Sequence, residues 1–163
     1  MWVALDAARR CRAELEIAGP LTGEDLCYRL GLALVAYRLP GRVRGLYCAG
    51  NVVAVRPDLR RYTREHVIFH EVGHARLHGP FGGMDFWRER DPVMLRKIER
   101  RADEFAYFCA LPGDELRQLL WEQVPVWEIA GRYNRSRQWV WQRIHLAWDA
   151  GELDALKRQE WIA

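Results

Sequence analysis

Five consecutive residues, His70-Glu71-Val72-Gly73-His74, constrain this chain more than any other feature of it. For both imidazoles to meet one ion they must lie on a helix, because four positions turn the side chain by about 400° and bring it back to the same face one turn along. On such a helix His70 and His74 take adjacent vertices of a zinc tetrahedron. Glu71, rotated by about 100°, then reaches a water in the open coordination position as general base. His66 and His78 continue the four-residue spacing, but Val67 follows His66 and Ala75 follows His74, so only the middle pair has a carboxylate directly after its first histidine. A lone histidine on a helix is most often an ordinary core or surface side chain. Here Val67, Ile68, Phe69 and Val72 flank the pattern and would bury it, which favours metal over a solvated polar face. Gly73, without a side chain, would let a strand or a substrate approach the helix closely.

The rest of the chain reads as a frame for that helix. With 163 residues, half of them hydrophobic and 29% charged, it fits one folded domain with at most a small appendage. Cys11, Cys27, Cys48 and Cys109 form no C-x-x-C pair and do not cluster with His, so a zinc ribbon or a disulfide scaffold is disfavoured and reduced thiols in the cytoplasm are expected. The first residues carry charges throughout and lack the apolar stretch of a signal peptide, and no run is apolar enough for a membrane span.

Apolar spacing predicts a helix over 2–17, and a second over 23–30 capped by Thr22 and stopped by Gly31. Three short β-prone runs follow, LALVAYR, VRGLYC and NVVAV, separated by Pro40-Gly41 and Gly50-Asn51, as a meander or small mixed sheet. The His70 helix is expected to open near Thr63 and run to about His78. Residues 79–92, with Phe81, Phe86 and Trp87, read as a loop and a candidate lid. A helix from Pro92 to about Ala110 stops at Pro112-Gly113, and short helices are expected over 114–121, 126–133 and 136–150.

A catalytic zinc needs a third protein ligand. Asp85, Glu89, Asp91, Glu99, Asp103 and Glu104 are the downstream candidates. Ile98, Ala102, Phe105, Ala106 and Cys109 make an apolar stripe with Glu99 and Asp103 one turn apart on its margin, where a carboxylate is costly unless neutralised. Glu99 is therefore assigned as third ligand, and Asp103 as the acceptor for the second ring N–H of a ligating histidine. The alternative is a surface pair between Glu99 and an arginine such as Arg100. No residue is assigned to stabilise an oxyanion; Tyr107, His78 and Arg76 have suitable chemistry.

With these residues in hand, FHEVGHARLHG followed by ERRADEFAYFCALP resembles the ImmA/IrrE family of zinc metallopeptidases. The matching positions are His70, Glu71, His74, Glu99, Ala102, Asp103, Phe105, Ala106 and Leu111-Pro112. The strand-rich stretch upstream also fits that layout, so the resemblance covers about residues 5–115. It implies a gluzincin-like zincin fold of the α+β class and cleavage of protein substrates, often helix-turn-helix transcriptional repressors, in phage, mobile-element or stress responses. The expected division is a metallopeptidase domain over 1–115 and a helical, helix-turn-helix-like segment over 116–163.

That segment is unusual in composition, holding six of the eight tryptophans from Trp121 onward. Ile129-Ala130, a polar turn at Asn134, a Ser136 cap, then Val140 and Ile144 have the rhythm of a helix-turn-helix. Arg132, Arg135, Arg137 and Arg143, with Gln138 and Gln142, would suit a DNA surface. The other reading is a packing unit with Trp139 and Trp148 in the core and solvated arginines. A net charge of only +3 favours a protein partner over DNA. Two functions stand: a cytosolic zinc endopeptidase, and a non-catalytic anti-repressor or DNA-associated regulator with a structural or idle zinc site.

Overall fold

The computed structural model describes residues 2–79 and 91–153. It is a mixed α+β structure built around one helix. α1 spans Val3–Glu14, α2 Gly23–Arg29, β1 Ala33–Ala36, β2 Gly45–Cys48, β3 Val52–Val55, α3 Arg61–Leu77 and α4 Pro92–Ala110. Three shorter helices follow: α5 Gly113–Trp121, α6 Val126–Arg132 and α7 Arg137–Asp149. No helix among the described residues is long and apolar enough to cross a membrane.

The helix starts follow local chemistry. Asp25 N–H donates to the Thr22 hydroxyl at 3.1 Å, Trp139 N–H to that of Ser136 at 3.1 Å, and Val93 N–H to Asp91 at 3.2 Å, each satisfying an amide that the first turn leaves without a partner. α3 departs from expectation. It begins at Arg61, two residues before Thr63, with Arg60 at the capping position and no side-chain cap.

The strands form a mixed sheet of order β1-β3-β2. β1 runs parallel to β3 with Ala33 opposite Val52, and β2 runs antiparallel to it with Tyr47 opposite Val53. The β2–β3 turn places Gly50 at φ +82° and Asn51 at φ +59°, the left-handed region that these two residue types tolerate best. Val53 and Val55 of the central strand are buried.

α3 lies in the middle, against the sheet on one side and α4 on another, with α1 and α2 also touching it. Val67, Ile68, Phe69 and Val72 are accordingly buried. Gly73 does let something come close, but it is neither strand nor substrate. A Cβ there would stand 2.9 Å from the carbonyl oxygen of Ala102, so the glycine lets the α3 and α4 backbones touch. The close strand is met elsewhere: a Cβ on Gly45 of β2 would fall 2.5 Å from Val67 and 2.7 Å from Glu71 Oε1.

Leu116, Ile129, Val140, Ile144 and Trp148 continue the cluster formed by Leu26, Phe69, Phe105 and Phe108. Trp139 and Trp148 are core residues, but the arginines around them are not all solvated. Arg135 is 2% exposed and Arg143 fully buried, so neither is offered to DNA or to water. Arg143 donates to Leu111 O at 2.8 Å and to Glu152 at 2.7 Å, and its guanidinium lies over the Phe108 ring. Arg135 lies between the rings of Phe69 and Trp139 and pairs with Glu65 at 3.4 Å. Arg132 is exposed and pairs with Glu128 one turn earlier.

Candidate metal centre

His70 and His74 project from consecutive turns of α3, and Glu99 reaches toward them from α4. One ligand atom of each lies within 4.8 Å of the others. His70 Nε2 is 3.0 Å from His74 Nε2 and 3.2 Å from Glu99 Oε2, and His74 Nε2 is 3.5 Å from Glu99 Oε1. Donors bound about 2.0–2.1 Å from a tetrahedral ion stand about 3.3 Å from one another. The three side chains are thus spaced as three vertices of such a site.

The remaining ring nitrogens show why an ion fits. His70 Nδ1 donates to Asp103 Oδ1 at 2.8 Å, because an ionised carboxylate can only accept. The Nδ1 atoms of His74 and His78 are 3.1 Å apart. With both Nδ1 atoms engaged behind them, the two Nε2 atoms and the Glu99 carboxylate converge on one point that demands positive charge. Without a metal, a proton meets that demand. Burial opposes a charge on His70, but the hydrogen bonds to Asp103 and Glu99 outweigh it and raise its pKa to about 10. Burial, and next the charge on His70, push His74 down to about 3. Burial also works against the charged carboxylates, yet His70 holds Glu99 below its usual range, and His66 with His70 holds Asp103 well below its own.

Glu71 is buried beside the cluster and points to β2. Its Oε2 accepts the Tyr47 backbone N–H at 2.8 Å, while Oε1 lies next to Gly45, where there is no side chain to cover it. Burial pushes its carboxyl up to about 7, partly offset by the charge of His70 and the Tyr47 N–H.

The other acidic candidates are engaged elsewhere or lie outside the description. Asp91 caps α4, and Glu104 pairs with Arg100 at 3.4 Å, which leaves Arg100 turned to Glu104 rather than to Glu99. Asp85, Glu89 and the aromatics proposed for a lid lie outside the described residues. Arg76 pairs with Glu14 of α1, and Tyr107 stacks on Trp139 with ring centres 4.8 Å apart. His78 stands behind His74. Its i+4 spacing from His74 is the sequence signal that would have identified this role, whereas the Tyr47 amide that fixes Glu71 leaves no mark in a sequence.

The family model for the IrrE N-terminal-like domain, Peptidase M78, matches residues 28–145, which include both α3 histidines, Glu71, Glu99 and Asp103. No curated protein matches the chain. A match over most of the chain, on a mixed α+β structure that gathers two histidines and a carboxylate around one point, establishes that this chain belongs to the Peptidase M78 family and is metallopeptidase-like in function.

Proposed function

We propose that the chain is a zinc-dependent endopeptidase whose substrate is a protein, specifically a helix-turn-helix transcriptional repressor, cut in the cytoplasm during a phage, mobile-element or stress response. The observation that carries the catalytic part is the convergence of His70, His74 and Glu99 at tetrahedral spacing with the Glu71 carboxylate alongside. The substrate class rests on the ImmA/IrrE resemblance and on a net charge too small to call for DNA.

His70, His74 and Glu99 would hold the ion, two imidazoles and a carboxylate being a donor set of zinc hydrolases. The bound ion would supply Lewis acidity toward the scissile carbonyl and toward water. Glu71 does the proton work. Its Oε2 is fixed by Tyr47, so Oε1 takes the proton from the attacking water and passes it to the leaving amine. Asp103 keeps the His70 ring oriented with Nε2 toward the site, and His78 backs the ring of His74. Half-exposed Glu99 lies on the solvent side of the cluster, where a polypeptide can enter.

The test is incubation of the zinc-loaded chain with a helix-turn-helix repressor, beginning with any encoded beside its gene, with Glu71→Gln in parallel. Cleavage by the native chain and none by the zinc-loaded variant is the expected result. Stoichiometric zinc with no cleavage, and an unchanged biological output in Glu71→Gln, would establish the non-catalytic regulator instead.

A further inference from the structure

The histidine one turn before the metal pair belongs to no ligand set, yet both of its nitrogens are committed. The Trp139 indole N–H, from α7, donates to His66 Nδ1 at 3.0 Å. An indole nitrogen can only donate, so His66 Nδ1 must be bare and its proton must sit on Nε2. That Nε2–H points at Asp103 Oδ1, 3.2 Å away, the same oxygen that receives the His70 Nδ1–H at 2.8 Å. Every proton in this series therefore has a fixed direction, from Trp139 to His66 to Asp103, with His70 donating into the same carboxylate. The rings are also held mechanically. Tyr107 stacks on Trp139 at 4.8 Å and lies 5.0 Å from the His66 ring, and Trp139 is buried.

We infer that His66 and Trp139 are positioning residues of the metal centre, holding Asp103 so that His70 keeps its proton on Nδ1 and its Nε2 toward the ion. Asp103 is half-exposed at the margin of α4, and a carboxylate in water has many rotamers open to it. The His66 N–H restricts it to the one that meets His70. Helix α7, whose Trp139 is 73 positions from His66, is by this account part of the site and not only packing. The inference rests on the metal-centre reading and goes beyond it in naming residues that touch neither ion nor substrate.

The experiment measures zinc affinity of the full chain by competition with a chromophoric chelator, for the native protein and for Trp139→Phe and His66→Phe. Both variants keep a ring in place and remove the nitrogen. Each is expected to weaken zinc by about 3- to 10-fold, less than the 10–100-fold typical of a residue that directly supports a ligand. In an Asp103→Ala background neither should weaken it further, because the link to His70 is already cut. Affinity within twofold of native for both variants, or an equal loss in the Asp103→Ala background, would overturn the inference and assign these residues to packing. Ring 15N shifts of the metal-free protein test the hydrogen bonds separately. His66 should be the Nε2–H tautomer in the native chain and lose that bias in Trp139→Phe; an Nδ1–H tautomer in the native chain also overturns the inference. If the native chain binds no zinc, the metal-centre reading fails while the ring shifts still decide on the Trp139–His66–Asp103 link.

Discussion

Two groups of charged side chains, one around α7 and one between α3 and α4, are built by different rules. Around α7, the positive charges meet their acceptors inside the protein: Arg143 binds Glu152 and the Leu111 carbonyl, and Arg135 binds Glu65 between two aromatic faces. Gly113 leaves room for the Glu152 carboxylate, since a Cβ there would fall 2.2 Å from it. Between α3 and α4 the charges cancel only in part, because one imidazole, His70, faces the carboxylates of both Glu99 and Asp103. Two imidazole nitrogens and a carboxylate face a common point, with Asp103 and His78 fixing the rings from behind. A buried ion pair with its own acceptor is architecture, whereas nitrogen and carboxylate donors that converge on one point are arranged as the ligands of an ion are. Burial alone does not separate the two cases. The direction of the remaining polar atoms does.

The sharpest way to break that distinction is to remove a charge from each group and ask which property fails. Glu71→Gln should lower peptide cleavage by about 10²- to 10⁴-fold, the usual worth of a general base, while zinc content and melting temperature stay near native. Arg143→Ala should act in reverse. It leaves the buried Glu152 carboxylate with only the longer 3.4 Å pairing to Arg9 and should cost about 3–5 kcal/mol in denaturant unfolding, with zinc affinity of the folded fraction unchanged. Replacing both partners, as Arg143→Met with Glu152→Leu, should recover most of that loss; failure to recover would mean the pair contributes more than mutual neutralisation. Gly73→Ala should cost about 1–3 kcal/mol, because the Ala102 backbone cannot move aside as a side chain can, and it should also loosen zinc binding by shifting α4 and with it Glu99. At the small end, Arg132→Ala removes an exposed i, i+4 pair with Glu128 and should change stability by less than about 0.5 kcal/mol.

The comparison also explains what could be read from the sequence. The convergence of His70, His74 and Glu99 was legible because helix geometry translates spacing into shared faces: His70 to His74 on α3, and Glu99 beside an apolar stripe on α4. Thr22 and Ser136 marked helix starts for the same reason, each acting on an amide three residues away. The arginine group was not legible, because its partners are set by the fold. Glu65 is 70 positions from Arg135, and nothing in an Arg-rich turn distinguishes a cation that will be buried from one that will be solvated. The start of α3 was misplaced because Thr63 has the composition of a cap, whereas Arg60, at the true boundary, makes no side-chain cap at all. Gly73 announced a close approach without saying what approaches. That became clear only with α4 in place.

On the function proposed above, His70, His74 and Glu99 form one metal site with Glu71 beside it and not in it. Zinc titration of the metal-stripped chain against a chromophoric chelator tests this most directly, run with Glu99→Ala and Glu71→Gln. One tightly bound equivalent per chain is expected, with a loss of affinity of at least about 100-fold in Glu99→Ala and near-native affinity in Glu71→Gln. Native affinity in Glu99→Ala, or no stoichiometric zinc in the unaltered chain, would contradict it.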